Sequence, residues 1–183
     1  MKDIILKTAA EKIQRYGLRK FTMDEIAEEL KISKKTLYKY FSGKDAIIHE
    51  YFMEIIESDM NNTLEALEKG EALVDKINAI IYSYHKYRLP VSVYDEAYKF
   101  YHKEWEEVQK LKDFKLKLIN DVLKAAMDEG HIKKDINLNI IGLMLENTIN
   151  TLLSYEFLSK NDLTMKEAIN EVLKVILHGI INN

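Results

Sequence analysis

The chain has 183 residues, 47% of them apolar, with one Pro, six Gly and no Cys. That length allows one or two compact units with a sizeable core, the scarcity of Pro and Gly predicts an all-helical chain, and without Cys neither disulfides nor thiolate chemistry is available. The formal charge of −3 hides an asymmetry: residues 1–50 carry 11 Lys and Arg against 8 Asp and Glu, and the remainder 16 against 22. A basic head on an acidic body predicts that only the head meets nucleic acid; the acidity of the body reads as ordinary solubility. No apolar run reaches the ~20 residues of a membrane span and no signal peptide is visible, so no membrane partner and a cytoplasmic location are expected.

The first predicted helix runs from about Lys2 to Tyr16, with Leu6, Ala9, Ala10, Ile13 and Tyr16 as its buried stripe and Gly17 as its stop. A second starts at Thr22, which pairs with Glu25 as a capping box, while Phe21 and Ile26 close a hydrophobic staple. Its apolar face is Met23, Ile26, Ala27 and Leu30. Ser33 caps a third helix that buries Leu37 and Phe41, with Ile32 and Leu37 as a second staple. Lys34, Lys35, Thr36, Tyr38 and Lys39 are left pointing outward. Ser42 with Asp45 is expected to cap a fourth helix from Lys44 to about Glu68, carrying Ile47, Ile48, Tyr51, Phe52, Ile55 and Ile56 and ending at Gly70.

Two short helices on either side of a three-residue turn, with five lysines and no acid between Lys31 and Lys44, form what a major-groove reader needs. Thr22, Ser33, Lys34, Lys35, Thr36, Tyr38, Lys39 and Lys44 are the candidate DNA-binding residues. Lys34, Lys35, Lys39 and Lys44 are candidates for phosphates, the last aided by the helix N-terminus beside it. Thr36 and Lys35 are candidates for base edges. A surface hairpin whose lysines are merely solvated is the alternative.

These residues carry a resemblance. Leu6 to Ile47 is similar to the N-terminal domain of the tetracycline-repressor-like (TetR/AcrR) family of bacterial regulators, in Ala9-Ala10, Gly17, the Thr-led helix containing Ile26-Ala27, and Ser33-x-x-Thr36-Leu37-Tyr38-x-Tyr40-Phe41-x-x-Lys44. The match covers about a quarter of the chain. The family often has Gly where this chain has Lys31 and Lys35, so its operator cannot be taken from a relative. The resemblance implies a nine-helix all-α architecture: a DNA-binding head over residues 1–47 and a ligand-binding and dimerisation body over residues 48–183.

In the body, helices are predicted from about Leu73 to Arg88, from a Ser92/Asp95 cap after Pro90, from Trp105 to Glu129, from Leu138 to Leu158, and from Thr164, capped with Glu167, to Ile181. Tyr82, Tyr84, His85, Tyr87, Tyr94, Tyr98, Phe100, Tyr101, His102 and Trp105 make an aromatic band, read either as core or as the lining of a pocket for an apolar or amphipathic ligand. Tyr98, Tyr101, His102 and Trp105 recur at three- and four-residue steps and are the candidate effector-binding residues. The stripes Leu138, Ile141, Leu145, Thr148, Ile149, Leu152 and Ile169, Val172, Leu173, Ile176, Leu177, Ile180 either close the core or form a homodimer interface, and the resemblance implies a four-helix interface built from these two helices.

Enzymatic constellations are missing from the sequence. No glycine pair has phosphate-loop spacing, no His-Glu-x-x-His occurs, and the five histidines are scattered. Asp45/His49 and His102/Glu106 sit four apart, but two ligands are not a metal site; no cofactor is expected. The sequence therefore predicts a homodimeric transcriptional regulator, most simply a repressor released from a palindromic operator by a small ligand. The alternative is a DNA-binding dimer without a small-molecule effector, controlled by a protein partner or by abundance.

Overall fold

The computed structural model describes residues 1–81, 90–152 and 155–181. They form ten helical segments: α1 (Lys2–Tyr16), α2 (Met23–Glu29), α3 (Lys34–Tyr38), α4 (Lys44–Lys69), α5 (Leu73–Ile81), α6 (Val91–Phe100), α7 (His102–Asp128), α8 (Leu138–Leu152), α9 (Tyr155–Lys160) and α10 (Met165–Ile180). The fold is all-helical; a lone antiparallel bridge, Ile132 with Ile181, lies outside any strand. Segments α8 and α9 together occupy the stretch predicted as one helix, which reconciles ten segments with nine helices. The predicted continuation of α5 to Arg88 lies outside the described residues, as do Tyr82, Tyr84, His85 and Tyr87.

Two compact units emerge, one from Met1–Met60 with His85–Lys110 and the other from Asn61–Tyr84 with Leu111–Asn183; α4 and α7 contribute residues to both. The first unit is built on Ile5, Leu6, Ala9, Ala10 and Ile13 of α1, Ile26 of α2, Leu37 of α3 and Ile47, Ile48, Tyr51, Phe52, Ile55 and Ile56 of α4, all buried. Tyr16 departs from the predicted stripe: at the last turn of α1 it is 51% exposed. In the second unit Ile77, Ile80, Ile119, Leu123, Ile132, Ile141, Leu145, Leu173, Ile176, Leu177 and Ile180 form one cluster.

Local chemistry sets the helix ends. The Thr22 box is closed both ways, Glu25 N–H donating to Thr22 Oγ1 at 3.2 Å and Thr22 N–H to a Glu25 carboxylate oxygen at 2.8 Å. Thr164 and Glu167 repeat it on α10, and these hydrogen bonds hold the Glu167 carboxyl below its ordinary pKa. Two predicted caps do not form. No Ser42–Asp45 hydrogen bond exists among the described residues; the first turn of α4 closes with Ile47 N–H donating to the Gly43 carbonyl at 3.3 Å. Helix α6 begins one residue before Ser92, behind Pro90, without a side-chain cap, because the ring already fixes an entry geometry.

The stripes predicted on the last helices divide. Ile141, Leu145, Leu173, Ile176, Leu177 and Ile180 are buried inside the unit. The apolar residues left outside are their neighbours: Ile140 (53% exposed), Leu143 (54%), Met144 (48%) and Val175 (73%). The side chains of Ile149 and Leu152 lie outside the described set.

Candidate nucleic-acid interface

Helix α3 stands on a compact apolar support. Leu37 is wholly buried and Phe41 nearly so, which fixes the opposite face outward because side chains three and four apart share one side of a helix. Tyr38 is accordingly 51% exposed, and Lys34, Lys35 and Lys39 are exposed around it. Tyr40, which helical spacing alone does not assign to the reading face, is also 44% exposed next to it. The turn into α3 passes through Lys31 at φ 52°, in the left-handed region that favours glycine. There Lys31 N–H bonds the Glu28 carbonyl (3.1 Å) and Ile32 N–H the Ala27 carbonyl (2.9 Å), and these bonds offset a strain of roughly 1 kcal/mol.

Besides Tyr38, the candidates occupy three kinds of position. Thr22, Ser33 and Thr36 are capping groups: Thr36 N–H donates to Ser33 Oγ at 3.0 Å, and the two hydroxyls share a 2.8 Å hydrogen bond. Lys35 and Lys39 are exposed cations with no ion pair among the described residues. Lys34 and Lys44 are already engaged. Lys34 Nζ meets Asp24 of α2 at 2.7 Å, a hydrogen bond that raises its pKa. Both partners are mostly exposed, and such surface pairs exchange readily for a phosphate.

Lys44, the candidate phosphate contact at the start of α4, is turned onto the fold. Its ammonium donates to the Arg19 and Phe21 carbonyls at 2.8 Å each and sits 4.4 Å from the Phe21 ring centroid. Burial draws its pKa below the ordinary 10.5. The cause is tertiary: with no side-chain cap at α4, the first lysine of that helix folds back over the loop entering α2.

The same loop is held from α6. Leu18 N–H donates to Glu96 Oε2 at 2.5 Å, and the Arg19 guanidinium lies 4.4 Å from the Phe100 ring centroid. Further along, His49 Nδ1 of α4 meets the buried Glu104 of α7 at 3.2 Å. The sequence holds no signal for Glu96, whose partner lies 78 residues away.

The effector candidates are not arranged as predicted. Helix α6 stops at Phe100 and α7 begins at His102, with Tyr101 at φ −129°, ψ 66° between them. This corner breaks the register that would have placed four residues on one helix face. Tyr98 and Trp105 nevertheless meet edge to face across it, centroids 5.4 Å apart, with Tyr98 59% exposed. Tyr101 is half-buried and His102 exposed; burial raises the Tyr101 pKa, with Asp45 and Glu96 adding to it. Tyr94 is pushed up to about 12 by burial, Asp59 contributing. A cavity of about 660 Å³ lies in the second unit between Leu73, Val74, Leu118, Val122, Ala126 and neighbours; none of the four candidates lines it. Among the described residues no three His, Asp or Glu side chains group to hold a metal, and no helix is long and apolar enough to cross a membrane.

Comparison with known proteins places this geometry. Residues 5–51 match the family model described as "Bacterial regulatory proteins, tetR family". Over 168 residues the chain is 26% identical to YvaF of Bacillus subtilis (strain 168), an uncharacterised helix-turn-helix-type transcriptional regulator, covering 87% of this chain and 85% of that one. A protein from Saccharomonospora viridis, described as a transcriptional regulator and solved in complex with choline, superposes with a TM-score of 0.81 at 17% identity, over 100% of this chain and 98% of that one. The regulator FadR of Bacillus subtilis, solved in complex with stearoyl-CoA, superposes at 0.66 with 16% identity, over 98% and 100%. At such identities the structural likeness speaks for the fold, and the relatives are regulators rather than enzymes. The helix-turn-helix is thus built on the residues that match the tetR-family model, and in this segment the chain is similar to the DNA-binding transcriptional regulators of that family.

Proposed function

We propose that the chain acts in the cytoplasm as a homodimeric repressor that reads a palindromic operator with α3 and leaves it when a small apolar or amphipathic ligand binds. The observation that carries the DNA half is the outward face of α3, where exposed Tyr38, Lys35 and Lys39 surround a helix anchored by buried Leu37. Lys35 and Thr36 are the base readers. Tyr38 meets a sugar or phosphate, and Lys34 and Lys39 take phosphates, which set register without carrying sequence information. Lys44 contributes by fixing the loop under α2, and Thr22 and Ser33 by capping.

Ile140, Leu143, Met144 and Val175 support the dimer, because an exposed apolar patch on α8 and α10 calls for a cover. A second copy presents the same patch about a two-fold axis. Two copies of α3 then sit about 34–36 Å apart, one turn of DNA. Tyr98, Tyr101, His102 and Trp105 are the proposed effector contacts. The neighbour solved with stearoyl-CoA supports an amphipathic ligand.

Selection of bound duplexes from a random-sequence library by the full chain tests this reading. A two-fold symmetric sequence is expected to emerge, bound by a species of twice the chain mass in sedimentation; failure to enrich any sequence over several rounds overturns it.

A further inference from the structure

We propose that Glu96 is a positioning residue for DNA binding: through it α6 holds the α1–α2 loop, and with that loop the reading helix α3, in the DNA-competent arrangement. The inference rests on the reading of α3 as the DNA-contacting helix. Its basis is a contact that local structure does not require. Helix α1 ends at Gly17, whose own N–H bonds the Ile13 carbonyl, and the next amide, Leu18 N–H, turns to the Glu96 carboxylate at 2.5 Å. Gly17 has φ 86°, and a Cβ there would lie 2.8 and 2.9 Å from the two Glu96 oxygens. Glycine holds this left-handed conformation without strain and leaves the carboxylate room against the backbone; any Cβ would push the Glu96 side chain aside.

The contact is set in a rigid frame. Leu18 is fully buried, and α6 is anchored by the fully buried Val93 and Ala97, flanking Glu96. Arg19 lies on the ring of Phe100, a turn further along α6. From Arg19 onward the loop carries the Arg19 and Phe21 carbonyls gripped by Lys44, then the Thr22 capping box. Helix α2 follows and is joined to α3 by the turn at Lys31, whose own amide and that of Ile32 bond the Glu28 and Ala27 carbonyls of α2. A change at Glu96 thus reaches α3 through five residues of loop and one short helix. A carboxylate accepting from a backbone amide makes one of the stronger hydrogen bonds of a protein, and here it spans two elements that no helix joins directly. Glu96 also lies between Tyr94 and Tyr98, so a molecule displacing that stretch of α6 would act on the loop.

The test uses the full-length chain, its selected duplex and three substitutions. Glu96→Gln keeps an acceptor oxygen at the same reach, Glu96→Asp keeps the charge but falls one methylene short, and Glu96→Ala loses both. Amide exchange at Leu18, followed by NMR, should quicken by on the order of tenfold or more in the Ala and Asp variants, and much less in Gln. Affinity for the duplex should fall by roughly threefold to thirtyfold in Ala and Asp, the range of couplings transmitted between sites, while Gln stays near wild type. A role in stability alone would instead lower the melting temperature and leave the affinity of the folded protein unchanged. Unchanged Leu18 exchange, or unchanged affinity once Leu18 is released, overturns the proposal; should the Ala variant not fold, the Asp variant carries the same two readouts. A wild-type chain that enriches no duplex overturns the DNA-binding reading and this inference with it, whereas wild-type binding matched by the Asp variant overturns this inference alone.

Discussion

Lys44 separates two physical roles that look alike in a sequence, a cation for DNA and a cation for the fold. Replacing it by Met keeps the apolar stem over Phe21 and removes the ammonium. Two hydrogen bonds to the Arg19 and Phe21 carbonyls, both 2.8 Å, then disappear, together with the cation–ring interaction at 4.4 Å. Hydrogen bonds from a charged group contribute about 1.5–3 kcal/mol each when well buried. Lys44 is only half-buried, so water competes and about 1 kcal/mol each is the better figure. The ring adds about 0.5–1 kcal/mol. Against this stands the desolvation that draws the lysine pKa down, leaving a net destabilisation of about 1–2 kcal/mol. For a chain of this length that is a fall in Tm of roughly 2–8 °C, readable by thermal unfolding in the absence of DNA. The control is Lys39→Ala, which should leave Tm unchanged and reduce the salt slope of DNA binding by roughly 0.9, the share of a single neutralised phosphate. If Lys44→Met melts within a degree of wild type and lowers the salt slope as Lys39→Ala does, Lys44 is a phosphate ligand and the clasp is wrong.

Tyr38→Ala should abolish binding to the selected duplex with Tm unchanged, since the ring is half exposed beside a buried Leu37; a large drop in Tm would show that it packs. Thr22→Ala removes one side of a closed capping box and should cost about 1 kcal/mol, measured by denaturant titration. Tyr94 keeps its proton in the fold up to about 12 against an ordinary 10.0. Between those values the folded state binds more protons than the unfolded one, so stability falls as pH rises, by at most about 2–3 kcal/mol; Tyr94→Phe should flatten that alkaline loss relative to wild type. Leu143→Glu with Val175→Glu should yield monomers in sedimentation, because both residues are more than half exposed on the patch assigned to the dimer.

The head is legible in the sequence because its signals are local. A threonine three residues before a glutamate, at the head of a run with helical apolar periodicity, signals a cap, and the Thr22 and Thr164 boxes close as spacing predicts. The alternation that buries Leu37 and exposes Tyr38 follows from helix geometry alone. Outcomes that depend on residues distant in sequence are not legible in this way. Ser42 carries as good a cap pattern as Thr22, yet Lys44 beside it is drawn to the α1–α2 loop. Tyr16 has the right periodicity for the core, but it lies on the last turn of α1, where no element covers it.

The body shows a different limit. Apolar periodicity reports that a face is buried against something, without saying whether the cover is the same chain or another. On α8 and α10 the stripes are wide enough for both, and the structure apportions them: Ile141, Leu145, Leu173 and Ile176 go inward, leaving Ile140, Met144 and Val175 one position aside and Leu143 two. A shift of one residue turns a side chain by about 100° on a helix of 3.6 residues per turn, so the core stripe and the outward stripe overlap in sequence and separate only in space. The aromatic band illustrates the converse. Tyr98 and Trp105 are seven apart, a spacing that brings side chains together on one continuous helix, and they do meet. The contact is made across the corner at Tyr101 rather than along a helix, so it joins α6 to α7. A pair that bridges two helices reports on their relative position, whereas a pair within one helix cannot. Trp105, the sole tryptophan of the chain, is thereby placed to register by its fluorescence any movement of α6, the helix that carries Glu96.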